Sequence, residues 1–286
     1  MIYKYRIFLI PAALLIFLFG GIFTWKIIKR SQRVVVAPRE EMNVTIIPGW
    51  NLRQIAADWK AKGIVKSEDE FYALVGKPAY NYKVHNELAP KLDFVSTSSF
   101  DYFFHYKSKN LSYEGYFLPD TYRVYADAKP IEIIEKIFDN LNTKITPQMR
   151  SDAMAQGKSW EEILTMASVV EKEAPTADSM GMVADIFWRR ENAGWPLQSC
   201  ATVNYVTGKS DPAVTAKDKD VNSLFNTYLY PGLPLGPISN PSLTAIKATI
   251  YPTKNDNWYF MSGTDGAMHY AKTLDEHNRN VRKYLR

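Results

Sequence analysis

The chain has 286 residues, 46% hydrophobic and 14% aromatic, which is enough apolar material for a packed core and excludes wholesale disorder. The formal net charge is +5 and the isoelectric point is near 9.0, a mild positive balance that suits an anionic partner; no Arg/Lys-rich block with interleaved aromatics stands out, so nucleic acid is not expected as that partner. The single cysteine, Cys200, excludes an internal disulfide, and no Cys/His spacing fits a zinc site, so neither a metal nor an organic cofactor is expected.

From Ile7 to Trp25 no residue is charged. At ~1.5 Å rise per residue a helix of that length nearly spans a hydrocarbon core of ~30 Å, and Pro11, Gly20 and Gly21 are better tolerated there than in a soluble helix. The stretch is longer than a typical signal-peptide core and lacks an A-x-A site. Residues 1–30 therefore read as a tail and one uncleaved transmembrane anchor, with a cleaved leader as the alternative. Lys4 and Arg6 precede the span, whereas Lys26, Lys29, Arg30 and Arg33 follow it, so the positive-inside rule taken literally favours a cytoplasmic C-terminal part.

Residues 31–42 read as a linker. Val44–Ile47 is a short β-prone run ended by Pro48-Gly49. Asn51 with Gln54 makes a capping box for a helix whose apolar face is Leu52, Ile55, Ala56 and Trp59, and Gly63 stops it. Ile64-Val65 reads as a second short extended piece, and Ser67 with Glu70 caps a further helix carrying Phe71, Leu74 and Val75. Residues 76–110 show no firm period and read as loops with short strands, and Glu114–Val124 reads as extended. From Pro130 the pattern is helical, with Ile131, Ile134, Phe138 and Leu141 in one stripe. Thr146-Pro147 opens another helix, Ser159 with Glu162 a third that runs through Lys172, and a fourth covers about 179–192. The Pro/Gly-rich stretch 230–241 is a structured loop, and 243–250 a short helix. Trp258–Ser262 and Met268–Ala271 form a hairpin, and Thr273 with Glu276 caps a C-terminal helix. The class is α+β, in four parts: the tail and anchor (1–30), the linker (31–42), a small α/β module with an extended connector (43–125), and a helix-rich domain ending in a β-hairpin (126–286).

The helix after Ser159 carries the most informative carboxylates. Spacings of three, four and seven put Glu171 on one side with Ile163, Leu164, Ala167 and Val170, opposite Glu161, Thr165, Ser168 and Lys172; Glu173 falls between, near Met166 and Val169. A carboxylate on an apolar stripe is partly desolvated, which raises its pKa as a general acid near neutral pH requires. The same position also fits a helix-end glutamate that turns to solvent or pairs with Arg189 or Arg190.

The segment ASVVEKEA (Ala167 to Ala174) resembles the catalytic signature of the YceG-like family of endolytic murein transglycosylases. Further blocks resemble that family in the same order: EGYFLPDTY upstream, then VADIFWRRENAGWPLQS, ATVNYVTGK, FNTYLYPGLPLGPISNPS, and the hairpin with DEHN behind it. The 43–125 module is similar to the family's LysM-like unit. The resemblance covers essentially the whole chain, with one departure: Cys200-Ala201 stands where members often carry Asp-Pro.

The resemblance implies a lyase, a peptidoglycan lytic transglycosylase. It would cleave the β-1,4 bond between N-acetylmuramic acid and N-acetylglucosamine, leaving 1,6-anhydro ends. It implies Glu171 as acid and then base, with Glu173 as the nearest competitor. Gln198, Asn226, Tyr228 and His269 are the candidate substrate-binding residues. The implied partners are peptidoglycan glycan strands, the cytoplasmic membrane through one helix, and cell-wall synthesis proteins. The implied location is the bacterial cytoplasmic membrane, single-pass, with the catalytic domain on the extracytoplasmic side, against the charge flanks. A non-catalytic, membrane-anchored peptidoglycan-binding protein and a true glycoside hydrolase are the alternatives.

Overall fold

The computed structural model describes residues 38–96, 101–104, 107–209 and 214–285. The expected anchor (7–25) lies outside them, and among the described residues no helix is long and apolar enough to cross a membrane. Strand β1 (Glu41–Ile46) starts inside the expected linker and is followed by α1 (Leu52–Ala61) and α2 (Glu68–Val75). Ile64-Val65 forms a turn and not a strand. The partner of β1 is β2 (Asp120–Tyr125), antiparallel, with Val44 opposite Tyr122 and Ile46 opposite Asp120. Alternation puts Val44, Ile46, Tyr122 and Val124 in the core, while Thr45 and Thr121 meet hydroxyl to hydroxyl at 3.2 Å on the outer face.

Of the expected extended run, only Asp120–Tyr125 is strand; residues 114–119 turn. Within 76–110 the described residues hold helical turns at Asp93–Ser96 and Asp101–Phe104 in place of short strands. An aromatic stack then ties this part to the helices. Trp59 meets Phe71 at 5.1 Å, Phe71 meets Phe117 at 5.8 Å, and Phe117 meets Phe138 of α3 (Pro130–Lys144) edge-on at 5.4 Å. Each ring is fully buried, and burial of such a side chain contributes roughly 1.5–3 kcal/mol. The described residues from Glu41 onward form one compact unit.

Helix α4 (Pro147–Ala155) leads to α5 (Trp160–Glu173), opened by the Ser159/Glu162 capping box. Every residue of α5 from Ile163 to Val170 is buried, Thr165 and Ser168 included, so the helix has no solvent face along that length. The side that looks polar in sequence receives the 230–241 loop. Ser168 Oγ donates to the Thr165 carbonyl at 2.7 Å and accepts from the Ile238 N–H at 3.0 Å, and Ser239 Oγ donates to the Ser168 carbonyl at 3.1 Å. Around α5 pack α6 (Ala177–Asn192), α7 (Cys200–Thr207) and α8 (Leu243–Ile250). The hairpin of β3 (Tyr259–Ser262) and β4 (Met268–Ala271) and the terminal helix α9 (Leu274–Tyr284) complete the α+β fold.

Candidate active site

The C-terminal turn of α5 carries both glutamates, and the structure sends them to different places. Glu171 turns to α8, where its Oε2 accepts from the Ser242 N–H at 2.9 Å and from Ser242 Oγ at 2.6 Å. Ser242 caps α8, so the carboxylate sits against a helix N-terminus, where negative charge is favoured. Neither Arg189 nor Arg190 pairs with Glu171. Arg189 pairs with Asp185 at 3.0 Å, and Arg190 donates to the carbonyls of Leu197 at 2.8 Å and Trp258 at 2.6 Å.

Glu173 lines an open groove of about 570 Å³ and is its one carboxylate among the described residues. The walls come from both ends of the fold. Gly49, Asn51, Arg53 and Gln54 enter from the start of α1, Lys172 from α5, Cys200, Ala201, Asn204 and Tyr205 from α7, and Ile238 from the loop. Glu173 Oε1 accepts from the Ser199 hydroxyl. Burial raises the Glu173 pKa above its ordinary value, and the Ser199 hydrogen bond and the charges of Arg190 and Lys172 oppose that rise. The result is a carboxyl shifted toward the protonated form, with one donor that also supports its anion.

The neighbouring residues follow from α7. Gln198 has φ +55°, a left-handed conformation uncommon outside glycine, asparagine and aspartate, and its side chain is exposed, one residue before the buried Ser199 and two before the groove residue Cys200. Tyr228 Oη lies 3.1 Å from Cys200 Sγ, and burial together with that contact pushes the phenol pKa up; the charges of Glu173 and Arg190 reach it as well. Tyr228 therefore stands within reach of the Glu173 charge, and Gln198 adjoins Ser199, the residue that bonds Glu173.

Two expected ligands of sugar are engaged elsewhere. Asn226 is fully buried. Its Nδ2 donates to the carbonyls of Lys219 at 2.8 Å and Val221 at 2.9 Å, and its Oδ1 accepts from the Tyr228 N–H at 3.0 Å. With both ends of the amide committed, Asn226 shapes the loop that presents Tyr228. His269 stacks on Tyr284 at 3.5 Å and bonds Asp265 at 3.0 Å, which clasps the hairpin to α9.

Beneath the groove lies a carboxylate that sequence reasoning did not select. Glu114 is 2% exposed, and both its oxygens accept from the Leu52 N–H at 3.1 Å, at the N-terminus of α1. Tyr205 Oη donates to Oε2 at 3.1 Å and Asn240 Nδ2 to Oε1 at 3.0 Å, while Asn240 Oδ1 accepts from the N–H groups of Gly115 and Phe117. Burial pushes the Glu114 pKa up to about 8 against those donors and the charge of Arg53. This hub fastens α1, the 114–118 turn, α7 and the 230–241 loop together, and so holds the groove walls in register.

The chain belongs to the YceG-like family, whose sequence model matches residues 24–283. It is 32% identical over 251 residues to an endolytic murein transglycosylase of Bacillus subtilis (strain 168), covering 85% of this chain and 65% of that protein. It is 33% identical over 178 residues to an endolytic murein transglycosylase of Streptococcus pneumoniae serotype 2, covering 60% of this chain and 32% of that protein. The chain thus spans less than two thirds of the length of these curated relatives. A crystal structure of a YceG-like protein from Listeria monocytogenes matches with a TM-score of 0.69 at 30% identity, covering 90% of this chain and 80% of that one.

Proposed function

We propose that this chain is a peptidoglycan lytic transglycosylase, and that Glu173, rather than Glu171, is its acid/base group. The observation that carries the reading is a single half-buried carboxyl of raised pKa in an open groove, with Ser199 bonded to it and Arg190 nearby. The names of the Bacillus and pneumococcal relatives support the same substrate. Glu171 is engaged by both donors of Ser242 and is absent from the groove walls, which leaves it a helix-joining role.

One carboxyl suffices for this chemistry. As an acid, Glu173 protonates the leaving oxygen of the β-1,4 bond between N-acetylmuramic acid and N-acetylglucosamine. As a base, it then takes the proton from the muramoyl C6 hydroxyl, which closes on its own anomeric carbon and forms the 1,6-anhydro ring. A tethered nucleophile brings a large effective molarity, and no water needs activating. Most glycoside hydrolases use a second carboxylate across the bond, whereas Glu173 is the only one lining the groove among the described residues. Tyr228, 3.1 Å from the groove residue Cys200, and the exposed Gln198 are the candidate sugar contacts in this reading. The antiparallel pairing of β1 with β2, with α1 and α2 following β1 in the chain between them, supports a LysM-like reading of residues 43–125. The uncharged stretch 7–25 supports a single membrane anchor, with the domain outside the cytoplasmic membrane, where peptidoglycan lies.

Digestion of purified sacculi followed by mass spectrometry tests the reaction. Anhydro-ended muropeptides are the expected products. Products with reducing ends, heavier by one water, would make the protein a hydrolase, and binding without any product would make it a non-catalytic wall-binding protein. A topology reporter fused after Arg286 tests the location: a cytoplasmic signal would contradict it.

A further inference from the structure

The groove carries a charge pattern that bond cleavage does not use. Arg53, Lys172 and Lys209 line it against the single carboxylate of Glu173. Lys209 is held by Asp218 at 2.6 Å. Arg53 donates one N–H to the Tyr205 carbonyl at 2.8 Å and packs over that ring at 5.3 Å, which fixes its direction. Among the described hydrogen bonds Lys172 makes one, to the Gly49 carbonyl at 3.5 Å. Among the described ion pairs neither Arg53 nor Lys172 joins a carboxylate. Two cations from two different elements therefore face one cavity beside the acid/base group.

The glycan backbone offers no charge to meet them. The anionic group of a murein strand sits on the O3 substituent of the muramoyl sugar, the ring that holds the anomeric carbon under attack. We propose that Arg53 and Lys172 form an anion subsite for a carboxylate of that substituent, supplied either by the peptide stem or, where the stem has been removed, by the bare lactyl group. The subsite rests on the glycan-cleaving reading given above and adds its selectivity. It seats the muramoyl ring, and not the uncharged N-acetylglucosamine ring, against Glu173, so it sets the register of cleavage. Arg53 belongs to α1, which makes the N-terminal module a wall of the site as well as a neighbour of it.

The test compares kcat/KM of the full chain on four soluble strand preparations: peptide-bearing strands, amidase-stripped strands, and each of these with its carboxyls converted to methylamides. Wild type is expected to lose about tenfold on neutralised strands, the effect of one or two charge-assisted hydrogen bonds. The preparation with the larger loss identifies the source of the carboxylate. In Lys172→Gln and Arg53→Gln the gap between charged and neutralised strands should narrow to about two- to threefold. Added salt should narrow the wild-type gap too, since exposed charges are screened. Loss of Lys172 also removes a charge that acts on Glu173, but that effect is common to all strands and cancels in the ratio. If Arg53→Gln fails to fold because its guanidinium also faces Glu114, Lys172→Gln carries the test alone. Equal wild-type rates on charged and neutralised strands, or an unchanged gap in Lys172→Gln, would overturn the subsite and leave the cleavage reading standing. No cleavage of any preparation would refute the cleavage reading itself.

Discussion

Replacing Glu114 by glutamine probes the buried hub under the groove. The carboxyl's partners are the Leu52 N–H, the Asn240 amide NH2 and the Tyr205 hydroxyl, and of these only the hydroxyl can accept the proton of the neutral acid. A glutamine that keeps its carbonyl toward Asn240 turns its NH2 toward Tyr205, whose hydroxyl already accepts from the Ala79 N–H at 2.9 Å. One buried hydrogen bond is then lost or reversed, at about 1–3 kcal/mol. The pH dependence is the more specific signature. The folded pKa of Glu114 is raised from 4.5 to about 8, so the native state keeps this proton where the unfolded chain releases it. Its contribution to stability is therefore complete below pH ~4.5 and is lost as pH rises through ~8. At about 1.36 kcal/mol per pKa unit the loss has an upper bound of roughly 5 kcal/mol. Glutamine does not titrate, so the stability advantage of wild type over Glu114→Gln should shrink between pH 5 and pH 8.5. Urea unfolding at several pH values measures this. Parallel curves for the two proteins across that range would mean that Glu114 is ionised throughout, and would refute the argument from burial.

Gly115 lies in the 114–118 turn at φ +88°, and an added Cβ would stand 2.6 Å from the Pro237 side chain, so Gly115→Ala should lose roughly 2–4 kcal/mol in the same assay. An unchanged midpoint would show that the 114–118 turn and the 230–241 loop can part without penalty. Ser242→Ala removes both the α8 cap and a donor to Glu171; a loss of about 1–2 kcal/mol with turnover of the same order as wild type is expected. A large fall in turnover at unchanged stability would instead tie Glu171 to the chemistry. Asn226→Ala strands two carbonyls and the Tyr228 N–H, so thermal unfolding should register about 2–4 kcal/mol of destabilisation. A variant of full stability with only KM raised would put Asn226 on the substrate.

Local signals in the sequence were good guides where a helix start closes on itself. The boxes at Asn51/Gln54, Ser159/Glu162 and Thr273/Glu276 all form, and the hairpin falls where its turn residues put it. Helix α7 was missed for a physical reason. Its N-cap, Ser199, makes no capping hydrogen bond; the hydroxyl points to Glu173 instead, and the residue before it adopts a left-handed backbone. The partner of β1 was missed because Thr45 and Thr121, which pair across the strands, lie 76 residues apart, and nothing local announces such a register. The helical phase of α5 misjudged its environment for a related reason. Thr165 and Ser168 look like a solvated face until the 230–241 loop covers them, and the apolar stripe then ceases to distinguish Glu171 from Glu173. The EKE segment is legible in the sequence as a pair of candidate carboxylates, but the choice between them depends on where α7 and α8 dock.

That choice is the central claim, and a matched pair of variants tests it most directly. Turnover of purified sacculi should fall by about two to four orders of magnitude in Glu173→Gln, the usual scale of a lost general acid/base, with the fold and glycan binding retained. In Glu171→Gln it should stay within about tenfold of wild type, with a modest loss of stability from the contact with Ser242. Wild-type release of anhydro-muropeptides by Glu173→Gln, together with its abolition in a folded Glu171→Gln, would contradict the account.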